Sequence, residues 1–568
     1  LQGWGAGATI INAVKGVASE RLQTWRDKVA QLVADNDITL LPGQEALFGG
    51  IEPVTFFTEE GAGVLVVARS DGNASFDLDP NRGARIDGFT IRGADQGGGI
   101  VASGYTDWLE VSNNVIKNNS GFFGGGFRSG HPLLDNDLVD SDNDNIRVRY
   151  NMITQNGGQG GAGGGVSLCT GSDGYQVTNN FICGNFALTD GGGIGHLGLS
   201  EGGRIADNDI LFNESFNQGL TVHGGGILIA GGGVPAGQLT PGSGSVVIEA
   251  NRILGNLAGA GDGGGVALVR VNGEDVDGSR NNADDWYGID MFDNIIANNV
   301  AALAGGGIVL RDTVKANIVH NTVAHNETTA TAGNAFSPGF PNFSNPQPAG
   351  IVSRAHSAEL NAAVNRAGRR VPDELTVAFA NPKLVDTIAW QNPSFYFFGD
   401  PLDDPPLYQL LEAGYWDLAV LPAGTGFLSP TFSVLTTLDA VRYTVDDTGA
   451  LATALVSAGQ YNTGNNPTGN PQLTGAYFNG APGVTAIIPE PLFVAAAFDE
   501  GGNFIQVRFG PLTLDGTTRD TLYHLGTGSS ALDAGTNLNA DFPALIDDFD
   551  GDARPQGDAV DIGADEAQ

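Results

Sequence analysis

The chain has 568 residues, 41% of them hydrophobic, with 86 glycines and a formal net charge of −37. That acidic balance excludes a nucleic-acid partner, which needs a basic footprint, and opposes unassisted binding of polyanionic polysaccharides. No stretch has the length of an apolar membrane span, so the hydrophobic residues belong to a folded core and the acidic surface keeps a long particle soluble.

In chain order, Leu1 to Ile11 reads as a turn and strand already in progress, with no initiator Met and no signal peptide. We therefore expect a processed or truncated piece of a longer secreted polypeptide. Over residues 13–36, Leu22, Trp25, Val29, Leu32 and Val33 recur at helical spacing among charged residues. This predicts an amphipathic helix that shields the edges of the first strands. Val64–Ala68 reads as a buried strand.

From Asn114 to Asn326 one phrase, Asn-x-Ile/Val-x-x-Asn, recurs seven times, at Asn114, Asn151, Asn180, Asn208, Asn251, Asn294 and Asn321. The first six are each followed by a triple glycine, at Gly124, Gly163, Gly191, Gly224, Gly263 and Gly305. Self-similarity at this period signals a solenoid. A strand with alternate apolar positions precedes each phrase (Ile146 and Val148; Ile289 and Met291), and another follows the glycines (Val166 and Leu168; Ile227 and Ile229). Strict alternation favours β over helix. Asn and Gly suit the sharp corners, and stacked Asn residues predict amide ladders. Asp87–Ile91 is a variant of the phrase, and Leu384–Asn392 reads as one more coil. The spacing between triple glycines, from Gly97 to Gly305, varies from 27 to 42 residues, with the excess mostly after the third strand. Such insertions emerge on one side.

The pattern resembles the right-handed parallel β-helix repeat proteins, which implies an all-β fold with three strands per coil in three sheets around a narrow apolar core. Four parts are expected: first coils with the inserted helix at 1–60, regular coils at 61–326, irregular coils and a lateral excursion at 327–529, and a closing segment at 530–568. Within the third part, short helical runs are predicted around Ala358–Ala367 and Tyr408–Leu411, with aromatic strands near Phe395–Phe398, Tyr415 and Trp416. The closing segment contains Ser530–Gly535, Asp548–Gly557 and Val560–Glu566, and resembles the segment that ends bacterial surface β-helix proteins ahead of their anchors. The coils further resemble β-helix regions of very large secreted bacterial proteins, some of which carry multicopper-oxidase-type domains. This chain has no His-x-His copper motif. The resemblance implies an extracellular or outer-surface location. Pro555 and the clustered aspartates are poor strand formers, so this segment is expected to terminate the stack and leave the N-terminal end for a neighbouring domain or subunit.

For chemistry, Asp548, Asp550 and Asp552 alternate around Gly551 as in the first half of a calcium loop, and hard oxygen ligands suit Ca²⁺. Ala553 and the missing closing Glu depart from an EF-hand. A second acidic stretch holds Asp135, Asp137, Asp140, Asp142 and Asp144, a cation site or a solvated insertion. Cys169 and Cys183 sit in consecutive coils and are a disulfide candidate, worth roughly 3 kcal/mol if bonded. Enzymes of the resembled fold are polysaccharide lyases and polygalacturonase-like hydrolases. Gly195-His196-Leu197-Gly198 faintly resembles the hydrolases' glycine-flanked histidine, but their paired aspartates and basic motif do not accompany it, and His196 reads as an ordinary surface or corner residue. His320 and His325 read as ladder substitutes. Two functions follow: a non-catalytic scaffold or adhesion module, whose partners are neighbouring domains, subunits of a surface assembly, or carbohydrate; or a lyase or hydrolase.

Overall fold

The computed structural model describes residues 1–14, 20–41, 56–70, 84–131, 140–217, 220–400, 407–484, 505–508, 522–538, 540–543 and 545–567. Among the described residues most of the regular structure is short parallel β-strand, stacked coil on coil into a parallel solenoid. Each regular coil visits four sheets. Sheet A carries the strand before the Asn phrase and sheet B the phrase itself, while sheet C carries the strand after the glycines. The fourth, sheet D, lies between B and C. In the regular coils its strands are two residues long, such as Gly157–Gly158, Phe186–Ala187 and Glu214–Ser215. The expected three sheets are therefore four. Strands so short and so varied in side chain leave no period in the sequence.

The central residues of the seven phrases form one column. Ile116, Ile153, Ile182, Ile210, Ile253, Ile296 and Val323 pair in turn across sheet B and all are 0% exposed. Ile91 extends the column upstream and Ala389 downstream. Apolar burial on this scale drives the fold, at roughly 25 cal/mol per Å² removed from water.

The two asparagines of each phrase form two ladders. The backbone and side-chain N–H groups of Asn151 both donate to Asn180 Oδ1 at 3.0 Å, and Asn180 Nδ2 also donates to the Val148 carbonyl of the preceding coil at 2.8 Å. The second ladder runs on through Asn326 to Asn392, whose Nδ2 donates at 2.8 Å to Asp417. These amides are buried yet satisfied, as burial of polar groups demands. The corner itself falls one residue earlier than expected. Left-handed backbone is adopted by the residue before each asparagine, including Tyr150, Ala250, Asp293 and His320 before the first ladder and Gln155, Phe212 and His325 before the second. His320 and His325 are thus corner residues, not rungs.

The glycine triplets combine two needs. Gly191 and Gly224 have φ of 72°, which favours glycine. The next two positions have no room for a side chain: a Cβ on Gly192 would lie 2.5 Å from the Gly225 carbonyl oxygen, and one on Gly193 2.6 Å from that of Gly226.

Helix α1 (Glu20–Ala34) buries Leu22 and Val29, and Val29 belongs to a cluster that includes Leu65 and Val67 beside the first strand of sheet C. Two insertions at the corner from sheet C to sheet A hold α2 (Glu274–Gly278) and α3 (Ala358–Val364), which pack on one another through Val276, Leu360, Ala363 and Val364. Tyr408–Leu411 is strand, not helix. It lies in Leu407–Tyr415, antiparallel to Pro393–Asp400, and this pairing overrides the helical spacing of a short apolar run.

Part of the stretch expected to be lateral joins the solenoid core, and the closing segment lies on its flank. Leu428, Leu435, Ala440 and Tyr461 join the far end of the apolar core, within the stretch expected to be lateral. The closing segment lies along the flank formed by sheets A and B. There Ala564, with Leu522 and Tyr523 from just before the segment, covers Leu211, Leu254 and Ile295, and Leu545 covers Phe292 and Val319. Its anchor is Arg554, which is buried and bonds Asp293 at 2.9 Å, Glu566 at 3.1 Å and the carbonyls of Gly563 and Ala564 at 3.0 Å.

Candidate functional site: a polar groove beside the glycine triplets

The residues singled out from the sequence fall in four places. Asp548 is buried and spends its oxygens on backbone: Oδ1 accepts from Asp550 N at 2.9 Å and Asp552 N at 2.8 Å, and Oδ2 from Glu566 N at 2.8 Å. Asp550 faces His524 instead, with 3.0 Å between Oδ2 and Nε2. The alternation that suggested a calcium loop therefore shapes a turn, and among the described residues Asp550 alone of its three aspartates joins a group with other ligand-type side chains.

Asp140 accepts from Asp142 N at 2.8 Å, closing a local turn. Asp144 belongs to an acidic column in which each carboxylate takes the backbone N–H of the next coil: Asp107 from Asp144 at 2.9 Å, Asp144 from Asp173 at 3.0 Å, and Asp173 from Glu201 at 2.7 Å. Burial, reinforced by Asp173 and Asp140, pushes the Asp144 carboxyl up to about 7. Asp135 and Asp137 lie outside the described residues.

Cys169 and Cys183 are free thiols. Cys169 ends a strand of sheet C and Cys183 a strand of sheet B. Consecutive coils place them on different faces, which is why adjacency along the chain did not bring them together. His196 is buried, not on the surface. Its Nδ1 accepts from the Tyr175 hydroxyl at 2.9 Å, and its Nε2 lies 2.9 Å from the carbonyls of Gly198 and Ser243. Desolvation pulls its pKa down to about 4, so it is a neutral core residue.

A constellation that the sequence reading did not assemble lies where each coil enters its glycine triplet. Asp190, His223 and Asp262 directly precede Gly191, Gly224 and Gly263, and the coils stack through Gly191 N to His223 O at 2.9 Å and Gly224 N to Asp262 O at 3.1 Å. Asp190 Oδ1 accepts from His223 N at 2.6 Å. His223 Nδ1 is 3.9 Å from Asp262 Oδ2. Arg354 clamps Asp262 with both its bonds, 2.9 Å to Oδ2 and 2.7 Å to Oδ1, and Ala304 N adds a third at 2.9 Å. Desolvation raises the Asp190 carboxyl above its usual range, against the pull of His223 and Arg270.

His223, Asp262 and Arg354 open into a groove of about 560 Å³, lined also by Thr221, Arg311 and Asn334. Chemically it offers cations and amide donors to a polar ligand. Asp262 is held by a bidentate arginine, which fixes both its oxygens in place. The sequence signal was available: a titratable residue immediately before the triplet in three coils.

No protein-family model matches the chain, and the search of curated proteins returns no match.

Proposed function

We propose that this chain is a non-catalytic scaffold or adhesion module, a right-handed parallel β-helix acting at the extracellular or outer cell surface within a larger polypeptide or assembly. The right-handed sense follows from the strong preference of crossovers between parallel strands. The observation that carries the non-catalytic reading is the engagement of Asp262. Both its oxygens are committed to Arg354 and one also to Ala304 N, so the best placed carboxylate of the groove works as a structural tie. Polar groups repeated along the coils, from the asparagine ladders to the acidic column, are likewise spent on holding one coil to the next. The strong acidity supports a solvated surface location.

One observation favours a second reading, a polysaccharide lyase or glycoside hydrolase acting in the groove. Asp190, whose carboxyl is raised by burial, accepts from the backbone N–H of the groove residue His223, and a raised carboxyl is what a general acid requires. The two readings separate in one assay. The purified chain is incubated with neutral and acidic polysaccharides, with product ends measured by reducing-sugar and unsaturation assays and retention by affinity electrophoresis. The scaffold reading expects no new ends. Product ends abolished in Asp190→Asn and His223→Ala would establish the enzyme.

A further inference from the structure

Away from the groove, one group of ligand-type side chains converges from three chain segments of the closing region. His524 lies in an extended stretch held to residues 472–474, where its carbonyl accepts from Thr474 N at 2.8 Å and Leu525 bridges Leu473. Asp550 sits on the turn organised by Asp548, which accepts its N–H at 2.9 Å. Asp565 is fixed by a 2.7 Å bond from Leu525 N to its Oδ2. The ligand atoms of the three all lie within 4.8 Å of one another.

The histidine carries the inference. His524 is 8% exposed, and its buried Nε2 has no hydrogen-bond partner in line, although Asp550 Oδ2 is only 3.0 Å away. Two ligands of one ion have this relation. With metal–ligand distances of roughly 2.0–2.2 Å, neighbouring donor atoms stand about 3.0–3.5 Å apart, and neither points at the other.

We propose that His524, Asp550 and Asp565 form a binding site for a divalent transition ion of the Zn²⁺ type. One imidazole and two carboxylates are a mixed nitrogen and oxygen set, which selects such ions over Ca²⁺ or Mg²⁺, whose preferred ligands are all oxygen. The Asp550 side chain is 40% exposed, which gives the ion an entry path and leaves room for water to complete its shell. The bound ion ties residues 522–525, the 548–551 turn and Asp565 together. Phe549, next to Asp550, stacks under Arg252 of the coils at 5.3 Å, so the same tie holds the closing segment to the solenoid. This site is independent of what occupies the groove.

The test uses the full chain after treatment with a chelator. Isothermal titration with Zn²⁺ alone, and with Ca²⁺ alone, gives stoichiometry, and Co²⁺ substitution gives a visible absorption spectrum that reports a nitrogen ligand. The account expects one Zn²⁺ per chain with no comparable Ca²⁺ uptake. It expects loss of the Co²⁺ spectrum and of Zn²⁺ uptake in His524→Gln and in Asp550→Asn, and full uptake in Asp552→Asn. Because Asp550 is exposed, its variant keeps the test decisive where the His524 variant fails to fold. No Zn²⁺ uptake, uptake that survives in Asp550→Asn, or Ca²⁺ uptake that depends on Asp552 would each overturn the site. In those cases His524 and Asp550 are an ion pair only.

Discussion

The regular coils and the closing segment bury polar groups by opposite means. In the coils the buried hydrogen-bonding side chains are mostly neutral amides, each donating and accepting along its ladder, as Asn256 does with Asn299 at 2.9 Å, Ile210 O at 2.8 Å and Asn213 at 3.0 Å. The closing segment adds charge to its apolar cover: Arg554 bonds Asp293 of the coils and Glu566 of its own segment, and Asp386 accepts from Thr536 N at 3.0 Å. A satisfied neutral amide contributes about 1 kcal/mol and does not respond to pH. A buried charge must first offset its desolvation. Desolvation accordingly leads the shifts of Asp293, up to about 7, and Asp386, up to about 8. The solenoid is built to be insensitive to its surroundings, and the flank is conditional.

The largest way to break this contrast is to put a charge into the coil core. Ile253→Asp is expected to abolish folding, read as loss of the β circular-dichroism signal, because an unpaired carboxylate would enter a column that is 0% exposed. Next is Arg554→Leu, which strands Asp293 and Glu566. It is expected to cost about 4 kcal/mol in denaturant unfolding, concentrated in the flank. Gly225→Ala tests the close approach of coils: a Cβ would sit 2.6 Å from the Gly264 carbonyl oxygen, and a loss of about 3 kcal/mol is expected.

Glu327 sharpens the comparison, since it places a buried carboxyl within a coil strand. Desolvation pushes it up to about 8, with Asn479 opposing. A raised carboxyl pKa stabilises the fold fully below the unfolded value, and that contribution is lost as pH rises through the folded one. Glu327→Gln should therefore gain about 2 kcal/mol on the parent between pH 6 and pH 8, and little below pH 4. The smallest effect is at a corner. Ala250 adopts φ of 50°, so Ala250→Gly should stabilise by about 0.5 kcal/mol, the relief of left-handed strain less the entropy of the glycine in the unfolded chain.

Much of the coil architecture was legible because its rules are local and repeated. The period of Asn114, Asn151 and Asn180 specifies both the inward column and the ladders, and each repeat confirms the others. What escaped notice depends on contacts between distant residues. Sheet D is invisible because Gly157–Gly158 and Glu214–Ser215 share no side-chain property. The left-handed corners escaped because Tyr150, Phe212 and Ala250 are not corner-type residues, and their strain is offset by the asparagine that follows. The strand Leu407–Tyr415 was misread because its partner strand, not its own spacing, decides its conformation. Asp548, Asp550 and Asp552 suggested one site by their alternation, whereas the fold gives Asp548 to the backbone and carries Asp550 to His524. The groove could have been found, since Asp190, His223 and Asp262 share one position in the repeat. Arg354, which completes it, reaches Asp262 from 92 residues away.

The central claim is that the coils hold themselves together while charge helps attach the flank. Hydrogen exchange read by mass spectrometry, on the parent and Arg554→Leu at neutral pH, tests it most directly. The account predicts that residues 522–567 lose protection in the variant while the coil strands from Arg147 to Thr328 keep theirs. Equal loss in both regions, or unchanged protection of the closing segment, would contradict it.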